Sequence, residues 1–147
     1  MFRGAFTHTV DDKGRLSIPS KYREILESQC DGQVVVTVDP DHCLSAYPYP
    51  EWEGIEARLG EMSMLRREVR QIERFLIGNA VECSLDKQGR ILLPAHLREF
   101  ASLQRDAVVV GQIRKFEIWD QEAWSSQQDQ CLEAMDGAME SLAELGL

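Results

Sequence analysis

Asp11-Asp12-Lys13-Gly14-Arg15-Leu16-Ser17-Ile18-Pro19, running on through Lys21-Tyr22-Arg23-Glu24, occurs twice in this chain. The second copy is Asp86-Lys87-Gln88-Gly89-Arg90-Ile91-Leu92-Leu93-Pro94, with His96-Leu97-Arg98-Glu99 behind it. Asp, Gly, Arg, Pro, Arg and Glu recur in register at 11/86, 14/89, 15/90, 19/94, 23/98 and 24/99, and the match extends to Asp31 and Asp106, each opening a valine-rich run. A repeat of this kind changes what counts as one structural unit. Each unit holds roughly 50 residues, too little chain to bury a strong core alone. Two copies are therefore expected to build one joint core or two paired small ones.

Turn chemistry places the motif. Ala5–Val10 alternates and leads into Asp11–Arg15, where Asp tolerates tight geometry and Gly14 permits positive φ. Leu16–Ile18 returns as a second strand, so the motif sits at the tip of a hairpin-like reversal. Pro19 stops that strand and suits the start of the short helix Ser20–Leu26. Gln33–Val38 and Cys43–Tyr47 complete a β-turn-β-α-β-turn-β unit. From Trp52, the residues Ile55, Leu59, Met62, Leu65, Val69, Ile72 and Leu76 fall at steps of three and four, an apolar stripe over about six helical turns. This stripe is expected to pack on the second long helix of the chain, or on a neighbouring subunit. The second unit repeats the order from Ala80 to Trp119, and Asp120 is placed to cap a final helix that carries Ala123, Trp124, Leu132, Met135, Met139 and Leu142. The expected divisions are 1–50 and 79–120 for the two β units, 51–78 for a connector helix and 121–147 for a C-terminal helix.

The net charge is −9, with 16 basic and 25 acidic residues. Eight of those acids lie between Phe116 and Leu147, where there is no Lys or Arg, so residues 1–115 carry 16 bases against 17 acids. The acidity belongs to the tail, and the remainder can present a local basic face, which matters more to a partner than total charge does. Four cysteines without CxxC spacing fit free thiols in a reducing cytoplasm. No leader pattern follows Met1 and no apolar run approaches the ~20 residues of a membrane span, so a cytoplasmic protein without membrane contact is expected.

Enzyme chemistry finds little footing. His8, His42 and His96 are scattered outside any metal-ligand spacing, and there is no nucleophile elbow, Walker loop or dinucleotide fingerprint. No catalytic residue, metal, cofactor or small-molecule substrate is expected. The repeated Asp-x-x-Gly-Arg turn instead suggests a positioned cation. Gly14 or Gly89 shapes the tip, Asp11 or Asp86 orients the guanidinium of Arg15 or Arg90, and Lys13 and Lys87 add charge. Arginine reads guanine edges bidentately and also grips phosphate. The bland alternative is that Asp and Arg merely staple the turn, but two tips on small β units can meet successive half-sites. Arg3, close in sequence to the first strand, is a further candidate phosphate contact. Arg23-Glu24 and Arg98-Glu99 fit better as an ion pair or helix-surface charges than as ligand contacts.

Met-Phe-Arg-Gly at the start, Asp-x-Lys-Gly-Arg-Leu-Ser-Ile-Pro, the Tyr-Arg-Glu helix, Tyr-Pro-x-Pro-Glu-Trp and the second Asp-x-x-Gly-Arg-x-Leu-x-Pro together resemble the MraZ family. These are bacterial transcriptional regulators encoded at the head of the division and cell-wall gene cluster. The resemblance runs from Met1 to about Trp124. It implies an α+β fold with a mostly β core: two tandem AbrB-like swapped-hairpin units, each followed by a long helix, in one pseudo-two-fold protomer. It further implies a ring-shaped homo-oligomer, binding of double-stranded promoter DNA at repeated short sites, repression of the home operon, and a place in the cytoplasm and nucleoid. The family's signature Asp and Arg map onto Asp11 and Arg15, and onto Asp86 and Arg90. Two rival functions stay open, an AbrB-like antitoxin and a ring-forming scaffold. A disordered C-terminal extension would favour the first and neutral or acidic tips the second, whereas this tail has helical periodicity and the tips are basic.

Overall fold

Each repeated turn closes on itself and then sends its two strands to different partners. In the computed structural model, which describes residues 1–147, Asp11 N donates to Arg15 O at 3.0 Å and Gly14 N to Asp11 O at 3.0 Å. One bridge, Val10 to Leu16, follows before the strands part. The elements in chain order are β1 (Ala5–Thr9), β2 (Arg15–Ser17), α1 (Ser20–Cys30), β3 (Gln33–Val38), β4 (Leu44–Pro48), α2 (Tyr49–Glu61) and α3 (Arg67–Ile72). The second half gives β5 (Val81–Ser84), β6 (Arg90–Leu92), α4 (Ala95–Phe100), β7 (Asp106–Gly111), β8 (Phe116–Asp120), α5 (Gln121–Glu133) and α6 (Met135–Glu144).

β1 pairs antiparallel with β7 of the other half, in register Ala5 to Val110, and β5 pairs with β3, in register Val34 to Cys83. Six strands form one antiparallel sheet in the order β1-β7-β8-β4-β3-β5, while β2 and β6 form a separate ribbon. Exchanging each strand for its counterpart in the other copy returns the same order read backwards. That is the pseudo-two-fold, swapped arrangement. The hairpin-like reversal is thus local to the tip and the strands beyond it are exchanged between halves.

The exchange merges the cores. Leu16, Ile18, Ile91 and Leu93 of the ribbon are at most 1% exposed and pack with Tyr22 and Leu26 of α1, Leu97 of α4, and the inward side chains of the sheet, among them Val34, Val36, Leu44, Val109, Phe116 and Ile118. The two copies do not stay in step throughout. Asp31 is the left-handed cap of α1, with φ 55°, whereas Asp106 is the first residue of β7. The strand equivalent to β7 begins at Gln33, because α1 runs 11 residues and α4 only 6. The shared Asp therefore marks no shared structural position.

The helical stripe from Trp52 is realised in two pieces. α2 ends at Glu61, Met62 is extended, and α3 resumes at Arg67 and closes with a π turn over Glu73–Ile77. Met62 and Leu65 match the apolar period yet are 49% and 91% exposed, so no packing within the chain holds that turn helical. The last turn is anchored, since Thr37 Oγ1 donates to Leu76 O at 2.6 Å and satisfies a carbonyl in the π turn. The two helical segments also do not pair lengthwise with each other as expected. Trp52 of α2 packs near Tyr47 of β4, and Trp124 of α5 packs near Trp119 of β8, so each helix uses its first turns on the sheet. Asp120 caps α5 as anticipated, accepting from Glu122 N and Ala123 N. That final segment too is interrupted, at Ala134. No helix is long and apolar enough to cross a membrane.

Candidate nucleic-acid interface

Asp11 organises the first tip through both carboxylate oxygens. Oδ1 accepts from the backbone of Lys13 at 3.0 Å and of Arg15 at 2.9 Å, while Oδ2 accepts from Arg15 Nε at 2.6 Å. Asp86 does the same at the second tip, with Oδ1 accepting from Gln88 N and Arg90 N at 2.9 Å each and Oδ2 from Arg90 Nε at 3.0 Å. Gly14 at φ 86° and Gly89 at φ 74° supply the left-handed residue each turn requires. Both carboxyls are held below the ordinary carboxylate range, chiefly because the Arg15 and Arg90 backbone amides donate to them, with the paired guanidinium adding to the effect.

The ribbon joins the two tips. Leu16 pairs with Ile91, and the ladder continues as Leu93 N donates to Gly14 O at 2.8 Å and Ile18 N to Gly89 O at 3.0 Å. Arg90 Nη1 consequently lies 3.7 Å from Asp11 Oδ2 of the other tip. The tips are not equivalent. Arg15 is held only at Nε, leaving its terminal nitrogens free, while Arg90 also bonds Gln88 Oε1 and faces Asp11. Lys13 and Lys87 are exposed beside them. The structure therefore brings together Lys13, Arg15, Lys87 and Arg90 with Asp11, Gly14, Asp86 and Gly89. Arg3 is elsewhere. It precedes β1, with its backbone against Gly111 and its carbonyl accepting from Tyr22 at 2.8 Å, at the end of the strand opposite the tip.

Of the two expectations for Arg23 and Arg98, the ion pair is absent, since neither pairs with any carboxylate. Each crosses to the other copy's tip, Arg98 over Gly14 and Arg23 over Gly89. Sequence spacing cannot show this, because the contact depends on the exchange of halves. Arg98 also lines a polar cleft of about 650 Å³ with Asp11, Asp12, Gln104 and Arg105.

One group of potential metal ligands lies away from the tips. The ligand atoms of Asp39, Cys43 and Glu117 fall within 4.8 Å of one another. Lys115 Nζ already stands 3.8 Å from Asp39 and 3.7 Å from Glu117 and donates to Ser45 Oγ at 2.9 Å, and burial pushes the Cys43 thiol far up. With the Lys115 ammonium already standing between the carboxylates, this group is a salt network that ties the β3–β4 turn and β4 to β8.

The family model described as "MraZ protein, putative antitoxin-like" matches residues 1–75 and again 76–142. The chain belongs to the MraZ family. Among its relatives is a "Transcriptional regulator MraZ" of Pseudomonas aeruginosa strain LESB58, 52% identical over 136 residues, which cover 92% of this chain and 90% of that one. Proteins of the same name from Pseudomonas putida strain GB-1 and Pseudomonas entomophila strain L48 are 52% identical over 127 residues, 86% of this chain and 84% of theirs. The double match of the MraZ model follows the duplication seen in the strands, one match to each half.

Proposed function

We propose that this chain is a sequence-specific DNA-binding transcriptional regulator that represses its own operon in the division and cell-wall gene cluster by binding repeated short promoter sites. The observation that carries the reading is the β2–β6 ribbon, which sets two Asp-oriented arginines and two exposed lysines on one edge of the protomer. An arginine held at Nε by a carboxylate keeps a fixed fork for a base edge or a phosphate. In this reading residues 1–50 and 79–120 are the two AbrB-like units, 51–78 the connector and 121–147 an acidic helical tail. Arg15, Lys13, Arg90 and Lys87 form the DNA-facing surface, and the protein works in the cytoplasm at the nucleoid without enzymatic activity.

Assembly into a ring is part of this reading, and the surfaces the chain leaves open support contact between copies. Met62, Met64, Leu65 and Ile72 are exposed in a stretch whose four arginines, Arg66, Arg67, Arg70 and Arg74, outnumber Glu68 and Glu73, while Leu132, Met135 and Met139 are exposed on a tail whose only charged residues are acids. The two surfaces are complementary in charge and both apolar, which suits contact between neighbouring copies. A ring presents several tip pairs to repeated sites, so binding strengthens by avidity without new contacts. Nuclease footprinting on the DNA upstream of the protein's own gene tests the proposal. Protection of regularly spaced short repeats, with repression of a reporter that depends on them, is the expected result. Uniform or absent protection would overturn it.

A further inference from the structure

The charge on the tips is smaller than their arginines suggest. Lys13, Arg15, Lys87 and Arg90 provide four cations, but Asp11, Asp12 and Asp86 stand among them, and Arg15 and Arg90 are each paired with a carboxylate. A surface that grips a polyanion needs cations that no carboxylate neutralises. Lys13 and Lys87 are two such groups, exposed and in no ion pair, and two arginines outside the turns add to them.

Arg23 and Arg98 occupy equivalent places in the first turns of α1 and α4, and each lies over the glycine of the opposite copy's tip. Arg98 Nε donates to Leu93 O at 2.9 Å, which fixes the guanidinium against the ribbon. Arg23 Nε is fully buried with no acceptor. Neither side chain forms an ion pair, and the terminal nitrogens of both, which have no hydrogen-bond partner in the chain, are not fully buried. The field of Arg23 is felt next door. His8 on β1 has its imidazole pKa lowered, first by burial and then by the Arg23 charge. A half-buried guanidinium without a carboxylate partner has lost hydration and gained no ion pair within the chain. An anionic oxygen is the ligand that satisfies it.

We propose that Arg23 and Arg98 are phosphate-gripping residues of the DNA-facing surface, each acting at the tip of the opposite unit. The inference rests on the DNA-binding reading above. It divides the labour of the surface: Arg15 and Arg90, oriented by aspartates, face the bases, and Arg23 and Arg98 hold the backbone that fixes register. Because each arginine belongs to one unit and serves the other, the exchange of halves becomes part of the binding site.

The test is fluorescence anisotropy over a salt series, with a duplex from upstream of the protein's own gene and a scrambled duplex of the same length. Arg23→Met and Arg98→Met keep the stem over the glycine and remove the charge. Each is expected to weaken binding to both duplexes by a similar factor, and to lower the slope of log K against log salt by about one for each phosphate released per bound protomer. Arg23→Lys and Arg98→Lys should recover most of that slope. An unchanged slope in both Met variants, or a weakening confined to the specific duplex, overturns the assignment. If a Met variant melts early, the matching Lys variant decides: a folded Lys protein with normal melting and the wild-type slope supports phosphate contact, and one with a reduced slope refutes it. Failure of the wild-type protein to prefer its own upstream duplex would sink the DNA reading itself, and this inference with it.

Discussion

Gly14→Ala tests how the tip is built, with a cost that can be worked out from the geometry. Gly14 is buried at φ 86°, and a Cβ there would stand 2.7 Å from Arg98 Nε and 2.9 Å from Leu93 O. Holding an alanine in the left-handed region costs about 1–2 kcal/mol. The crowding also pushes Leu93 away, weakening the 2.8 Å bond from Leu93 N to Gly14 O, worth about 1 kcal/mol. The sum is about 2–3 kcal/mol, which for a chain of this size lowers the melting temperature by about 5–10 °C. Gly54→Ala is the matched control, because Gly54 lies within α2 with no atom within 4 Å of its would-be Cβ. That change should stabilise by roughly 0.5–1 kcal/mol. Thermal unfolding followed by circular dichroism, at one fixed protein concentration so that assembly does not shift the midpoint, compares the two. If Gly14→Ala melts with or above the wild type, the positive-φ tip and its cross-ribbon bond are not what holds the motif.

Ile91 is fully buried opposite Leu16 on the ribbon, so Ile91→Ala should cost about 2–5 kcal/mol. Amide exchange should show β1, β3 and both tips losing protection together, since the two halves share one core; loss confined to residues 79–120 would contradict that. Asp11 and Asp86 have folded-state pKa values below their ordinary ones, so their contribution is fully present above the ordinary carboxylate value and is lost as pH falls through the lowered one. Carboxyl titration by NMR should place both midpoints below that of a free aspartate, and Asp11→Asn should flatten the acid limb of the stability curve. Thr37→Val keeps the shape of the side chain but leaves Leu76 O without its donor, so denaturant unfolding should show a loss of about 1–3 kcal/mol. No loss would mean that the π turn finds another donor.

The local chemistry was legible in the residues themselves, whereas the strand exchange came only through the family resemblance, which implied swapped hairpins. Asp, Gly and Arg at fixed offsets specify a turn, and the structure contains it twice with matching bonds from the Arg15 and Arg90 backbone amides, 2.9 Å in each copy. Asp120 announced a helix start, and the valine runs announced β3 and β7, because capping and burial act over a few residues. Alternation in Ala5–Thr9 says which side chains of β1 face inward but not which strand lies beside it, so pairing with β7 was out of reach of pattern alone. For the same reason Arg23 looked like a surface charge, since its neighbour Gly89 is distant in sequence and close only after exchange. The connector misled in the opposite direction. Met62 and Leu65 keep the helical period, but a period carries no information about whether a packing partner exists in the same chain.

The measurement that bears most directly on the paired tips as a DNA-reading surface is anisotropy of the wild type, Arg15→Ala and Arg90→Ala on the protein's own upstream duplex against a scrambled one. The wild type is expected to prefer its own duplex and to weaken steeply with salt. Arg15→Ala, which removes the fork with free terminal nitrogens, should abolish the preference, and Arg90→Ala should reduce it less, because Asp11 and Gln88 already engage that guanidinium. Equal, weak binding of the wild type to both duplexes, or an undiminished preference in both variants, would leave the doubled Asp-x-x-Gly-Arg turn as a structural staple and contradict the account.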